Sequence, residues 1–109
     1  MKILSRAEEL LLLTIWKLKE DAYCVPILQE AEKLTDKQWS LSDIYRPLGR
    51  LEQKGFVYSF LGEPTPERGG KRKRFYKITA EGFRALKEVK QVENAMWNGL
   101  NEEALDKLL

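Results

Sequence analysis

The chain has 109 residues, 43% apolar and 33% charged, with a net charge of only +2. These values describe one globular domain and exclude a disordered chain, and no apolar run approaches the roughly 18 residues of a membrane span. There is no histidine and only one cysteine, Cys24, which excludes a zinc site, a Cys–His nucleophile and an internal disulfide, so neither enzymatic activity nor a cofactor is expected.

Lys2-Ile3-Leu4-Ser5 runs at once into charge, unlike a signal peptide, and a lone cysteine suits a reducing compartment, so a cytoplasmic location is expected. Ser5 and Glu8 form a capping-box pair before an apolar run, so a first helix starts there and runs to about Glu20. Its apolar residues, Leu10 to Leu13, Ile15, Trp16 and Leu18, point almost all the way round. A helix without a wet face needs cover on both sides, and a chain this small supplies one. The other side is a candidate partner surface. A second helix spans Val25 to Thr35, with Pro26 in its first turn and a stripe of Ile27, Leu28, Ala31 and Leu34. Asp36 to Trp39 is a polar turn, and Trp39 reads as a packing residue.

A third helix begins near Ser40, with Asp43 as a looser cap signal. Leu41, Ile44, Leu48 and Leu51 make its core stripe. The opposite face carries Ser42, Asp43, Arg46, Gly49, Arg50 and Gln53, with Tyr45 between core and surface. Pro47 should bend its first turns, and Gly49 costs about 1 kcal/mol relative to Ala. A glycine there suits either close approach of another backbone or a tolerated blemish. Gly55 ends the helix as a left-handed cap. Phe56 to Leu61 reads as a strand, Gly62 to Gly70 as a loop, and Lys71 to Ile78 as the returning strand with Tyr76 and Ile78 inward. Thr79 caps a long last helix with the stripe Phe83, Leu86, Val89, Val92 and Met96, ending at Trp97. Asn98-Gly99 interrupts it before a short helix, Glu102 to Leu108.

Charge is segregated along this plan. Residues 68–77 hold six cations and no acid, leaving thirteen cations against seventeen acids elsewhere. Gathered positive charge on a hairpin is the footprint of a polyanion-binding surface. Three helices, a hairpin with a basic tip and a long final helix make a mostly α, winged helix-turn-helix architecture. The expected division is a DNA-binding unit over residues 1–80 and a C-terminal helical dimerisation segment over 80–109, packed on the first helix. A major groove about 12 Å wide accepts one helix. Ser42, Tyr45, Arg46, Gly49, Arg50 and Gln53 are therefore the candidate reading face, and Arg68, Lys71, Arg72, Lys73 and Arg74 the candidate phosphate-contacting wing. Leu12, Trp16, Val89, Val92, Met96 and Trp97 are candidates for a dimer seam or for an apolar ligand pocket beside it.

Ile44-Tyr45, the block Arg50-Leu51-Glu52-Gln53-Lys54-Gly55-Phe56-Val57 and the block Gly69 to Gly82 resemble the PadR-type transcriptional regulators. The resemblance covers about Ser5 to Leu86. It implies a winged-helix homodimer that represses promoters on double-stranded DNA, in some members released by a small hydrophobic ligand, with the N- and C-terminal helices forming the dimer interface. The short tail places the chain near the small subgroup. Two features depart from the family pattern. Ser42-Asp43 replaces glycine-threonine, and Arg46 separates Tyr45 from Pro47. Asp43 near phosphates is unfavourable unless it caps the helix or accepts from a cytosine amine. Two other readings stay open on sequence: a winged helix used as a protein-interaction module, and a ligand sensor that has lost DNA binding, toward which Asp43 leans.

Overall fold

The structure, a computed structural model, describes residues 3–64 and 72–109. In chain order these form α1 (Arg6–Leu18), a 3-10 turn (Lys19–Asp21), α2 (Cys24–Thr35), α3 (Leu41–Gln53), β1 (Val57–Leu61), β2 (Arg74–Ile78), α4 (Ala80–Trp97) and α5 (Glu102–Leu108). Local sequence signals set most of these boundaries. Ser5 Oγ accepts the Glu8 N–H at 3.1 Å while Glu8 Oε1 accepts the Ser5 N–H at 2.8 Å, a complete capping box. Ser40 and Asp43 form a second one, with distances of 3.1 and 2.8 Å, stronger than the sequence suggested. α3 continues through Pro47, which is buried. Gly55 has φ 77°, as its capping role requires.

The core gathers Leu11, Leu12 and Ile15 of α1, Ile27 and Ala31 of α2, Ile44, Leu48 and Leu51 of α3, and Val57, Tyr76 and Ala85 from the hairpin and α4. Two sequence expectations for α1 are corrected. The helix stops at Leu18 rather than near Glu20, because Lys19 turns back at φ 54°. That turn lays the next residues along the hairpin, where the Tyr76 N–H donates to the Ala22 carbonyl at 2.9 Å and Tyr23 bridges to Phe75. Leu12, assigned to a dimer seam or ligand pocket, is instead core at 0% exposure, since it lies on the same side as Leu11 and Ile15. The exposed side of α1 presents Leu13, Trp16 and Lys17.

β1 and β2 pair antiparallel, with Val57 opposite Ile78 and Leu61 opposite Arg74. The pairing is extended by the Gly62 N–H, which donates to the Lys73 carbonyl at 2.8 Å. Alternation puts Val57 and Tyr76 into the core and turns Tyr58 and Phe60 outward. Phe56 precedes the strand rather than starting it, and the return strand begins at Arg74 rather than Lys71. Arg68 and Lys71 of the candidate wing lie outside the described residues.

α4 leaves the body quickly. Thr79 joins it to the α3–β1 turn: its N–H donates to the Phe56 carbonyl at 3.0 Å, its hydroxyl donates to the Gly55 carbonyl at 2.6 Å and accepts the Gly82 N–H at 3.0 Å. Only Gly82 and Ala85 of α4 are buried, both near its start, and no residue of α5 is. The radius of gyration is 16.3 Å, against about 13 Å for a compact domain of this length. No described helix is long and apolar enough to cross a membrane.

Candidate nucleic-acid interface

α3 stands on Ile44, Pro47, Leu48 and Leu51 and turns Ser42, Tyr45, Arg46, Gly49, Arg50 and Gln53 to solvent, so the structure brings all six reading-face candidates to one exposed side. Around them the turn between α2 and α3 is bolted down. The Trp39 indole Nε1 donates to Thr35 Oγ1 at 2.9 Å, and its backbone N–H donates to Glu32 Oε2 at 3.1 Å. Trp39 is thus a packing residue. A cleft of about 310 Å3 runs beside α3, with Lys37, Trp39, Ser42, Arg46 and Arg50 among its walls. Gly49 has nothing within 4 Å of where a Cβ would stand, so among the described residues nothing requires the glycine.

The Asp43 carboxylate is engaged as a helix cap, accepting the Ser40 N–H at 2.8 Å. The Ser40 backbone N–H, then the Ser40 hydroxyl, hold its carboxyl below the usual aspartate range. A carboxylate in the first turn also suits the positive end of the helix dipole. Ser42 shares a hydrogen bond with Ser40, hydroxyl to hydroxyl at 3.0 Å. The Cys24 thiol at the start of α2 and, less strongly, burial push the Tyr45 hydroxyl up.

On the hairpin, Arg72, Lys73 and Arg74 are exposed. Lys73 Nζ lies 3.3 Å from the Tyr23 hydroxyl and 4.5 Å above that ring. Arg74 Nη1 donates to Ser59 Oγ at 3.0 Å, and Ser59 Oγ donates to Glu52 Oε2 at 3.0 Å. This relay ties Arg74, at the start of β2, through β1 to Glu52 in the C-terminal part of α3.

Glu8 was legible only as a cap, yet its side chain is 2% exposed. Its Oε2 accepts from Lys54 Nζ at 2.7 Å and lies 3.6 Å from Arg50 Nε. The missed signal was spacing: Leu11, Leu12 and Ile15 follow it at i+3, i+4 and i+7, so Glu8 lies on the core stripe. Burial pushes the Glu8 carboxyl up, but the Lys54 ammonium and the Ser5 N–H outweigh it, and the carboxyl titrates below the usual glutamate range. A lowered folded value means that the stability Glu8 contributes is complete above the ordinary value of 4.5 and is lost as pH falls through the folded one. Glu9 runs the other way, because burial, then the Glu93 carboxylate, raise its carboxyl. Urea unfolding of wild type and Glu8→Gln at about pH 7 and about pH 3 isolates the first effect. Wild type should lose more stability on acidification than the variant does.

The remaining candidates other than Trp97 divide between two clefts at opposite ends of α1. Trp16 meets Phe83 edge-on, centroids 6.1 Å apart, beside a cavity of about 240 Å3 that Ile15, Lys77 and Ile78 also line. Val89, Val92 and Met96 line a second cleft of about 310 Å3 with Ile3, Leu4 and Arg6. Trp97 lies fourteen residues beyond Phe83 on α4, about 21 Å along the axis, so it is not brought to Trp16.

The sequence profile of the transcriptional regulator PadR-like family matches residues 12–88. The chain belongs to that family. No curated protein matches it. Among solved structures, a PadR family transcription regulator from Clostridium difficile shares 21% identity, with a TM-score of 0.64 over 96% of this chain and 100% of that one. A PadR family transcriptional regulator from Eggerthella lenta is 25% identical, TM-score 0.64, over 84% of this chain and 77% of that one. A PadR-like transcription factor from Bacteroides fragilis is also 25% identical, TM-score 0.62, over 94% and 88%. This PadR-like chain is therefore a winged-helix transcriptional regulator, and the Thr79–Gly82 part of its family block is the joint between wing and α4.

Proposed function

We propose that this PadR-like chain is a homodimeric, cytoplasmic repressor that binds a near-palindromic DNA site and is released by a small apolar ligand. The observation that carries the reading is the Arg74–Ser59–Glu52 relay, which ties one exposed hairpin cation to α3 next to Gln53 and so supports a shared surface for hairpin and helix. Arg46, Arg50, Ser42 and Gln53 meet base edges or nearby phosphates in the major groove. Arg72, Lys73 and Arg74, with Arg68 and Lys71, follow the adjacent backbone. Asp43, as a helix cap, gives no ground for a regulator that has lost DNA binding.

The dimer reading rests on apolar surface that one chain leaves uncovered. Met96 is 79% exposed and Trp16 52%, and Ile3, Leu13, Trp97, Leu108 and Leu109 are also open. With the 80–109 segment pairing against its copy and against α1, two α3 helices would enter successive major grooves about 34 Å apart. The clefts holding Trp16 and Met96 are where a ligand would alter that pairing. Gly49 suits close approach of a DNA backbone, so Gly49→Ala should raise folding stability by about 1 kcal/mol and still weaken duplex binding, read by thermal melts and fluorescence anisotropy.

The experiment is titration of a random-sequence duplex across a salt series. The reading expects binding at low salt with a log–log slope of roughly −5 to −10. No binding at low salt overturns it in favour of a protein-interaction module, whose cationic hairpin would meet an acidic protein surface.

A further inference from the structure

Burying a carboxylate is costly unless every lone pair finds a donor. Glu8 offsets that cost with one donor on each oxygen, the Ser5 N–H on Oε1 and Lys54 Nζ on Oε2, and with the Arg50 guanidinium 3.6 Å from Oε2. Lys54 alone would pair its charge. Arg50 and Lys54 lie at i and i+4, so they share one side of α3, and a single carboxylate faces both. The cluster keeps a net positive charge on the reading side. The Arg50 guanidinium meets Glu8 through Nε, an ion-pair contact at 3.6 Å rather than a hydrogen bond, and its side chain stays 48% exposed. A guanidinium is a rigid planar fork, so fixing the Nε edge fixes the direction of the outer Nη pair. That pair is what a guanine edge or a phosphate takes in two parallel hydrogen bonds. Arg46, the other arginine of this face, has no salt bridge among the described residues.

We propose that Glu8 is a positioning residue for DNA reading: its carboxylate, held in the core by α1, fixes the Arg50 guanidinium so that the outer fork faces the duplex. The inference rests on the DNA-binding reading above and adds α1 to the elements that set specificity. A long side chain ordered before binding pays no ordering cost on contact.

The test compares the full chain and Glu8→Gln on two duplexes, the best site drawn from a random pool and random sequence. Discrimination between them should fall about three- to tenfold in the variant, the worth of immobilising one long side chain. Affinity for random duplex should rise, because a negative charge has gone from beside the interface. In an Arg50→Ala background, Glu8→Gln should leave discrimination unchanged. Equal losses on both duplexes, or an effect that persists without Arg50, would make Glu8 a fold-stabilising pair for Lys54 and overturn the proposal. Should the variant fail to fold, nitrogen-15 relaxation on the wild type decides: the Arg50 Nε–H should be nearly as rigid as backbone and the Arg46 Nε–H mobile, and equal mobility overturns the positioning role. A wild type that ignores DNA defeats the function and this inference together. A wild type that discriminates, with a Glu8→Gln variant that does so equally well, defeats this inference alone.

Discussion

Gly82→Ala should cost at least about 3 kcal/mol of folding stability and lower the melting temperature by on the order of 10–20 °C. A Cβ at Gly82 would stand 2.2 Å from the Phe56 carbonyl oxygen and 2.7 Å from Ile78 Cγ2. The carbonyl has no room to yield. It accepts the Thr79 N–H at 3.0 Å, and the Phe56 N–H donates to the Leu51 carbonyl at 2.9 Å, so moving it strains the end of α3 and the start of α4 together. The first turn of α4 must therefore back away from the wing, opening the core around Ala85. Gly55→Ala is the control. It has φ 77° but open space around a Cβ, so it should lose only about 1 kcal/mol from backbone strain. Urea denaturation of the two variants separates packing from conformation, and a Gly82→Ala loss no larger than that of Gly55→Ala would contradict the close-approach account.

The second large effect concerns binding. Replacing Arg72 or Arg74 by Ala should weaken binding to every sequence and flatten the salt slope by about one per lost phosphate contact per subunit, so by about two in a dimer. Ser59 keeps its bond to Glu52 when Arg74 is removed, so the joint between hairpin and α3 should hold and the change should be electrostatic. Arg50→Ala should behave differently, relaxing preference at particular base pairs by about 1–3 kcal/mol each. A slope that stays unchanged in the hairpin variants removes the wing from the interface. A uniform loss in Arg50→Ala makes that residue a phosphate contact and also withdraws the role given to Glu8.

The two kinds of variant probe features of unequal legibility. The caps at Ser5, Ser40 and Thr79, the stop at Gly55 and the final helix from Glu102 to Leu108 are local signals, and the fold uses them as the sequence suggested. What pairs across long separations was hidden. Lys54 is 46 residues from Glu8, so the capping pattern accounted for the carboxylate before its burial was known. Leu12 was misplaced because a helix apolar on nearly every side gives no phase: the 100° count cannot say which side meets α2 and α3. The early end of α1 follows from pairing of Ala22 and Tyr23 with β2, some fifty residues on, which no local propensity encodes. Trp16 and Trp97 carried the same candidate role in the sequence, and only the length of α4 shows that one chain keeps them apart.

Selection of bound fragments from a random duplex pool tests most directly whether a cationic hairpin and an arginine-bearing helix grip one DNA site. The account predicts enriched sites with two-fold symmetry, half-sites about one helical turn apart, and loss of preference at defined positions with Arg50→Ala. A pool that emerges unenriched, or enriched in a single half-site with no symmetric mate, would contradict it.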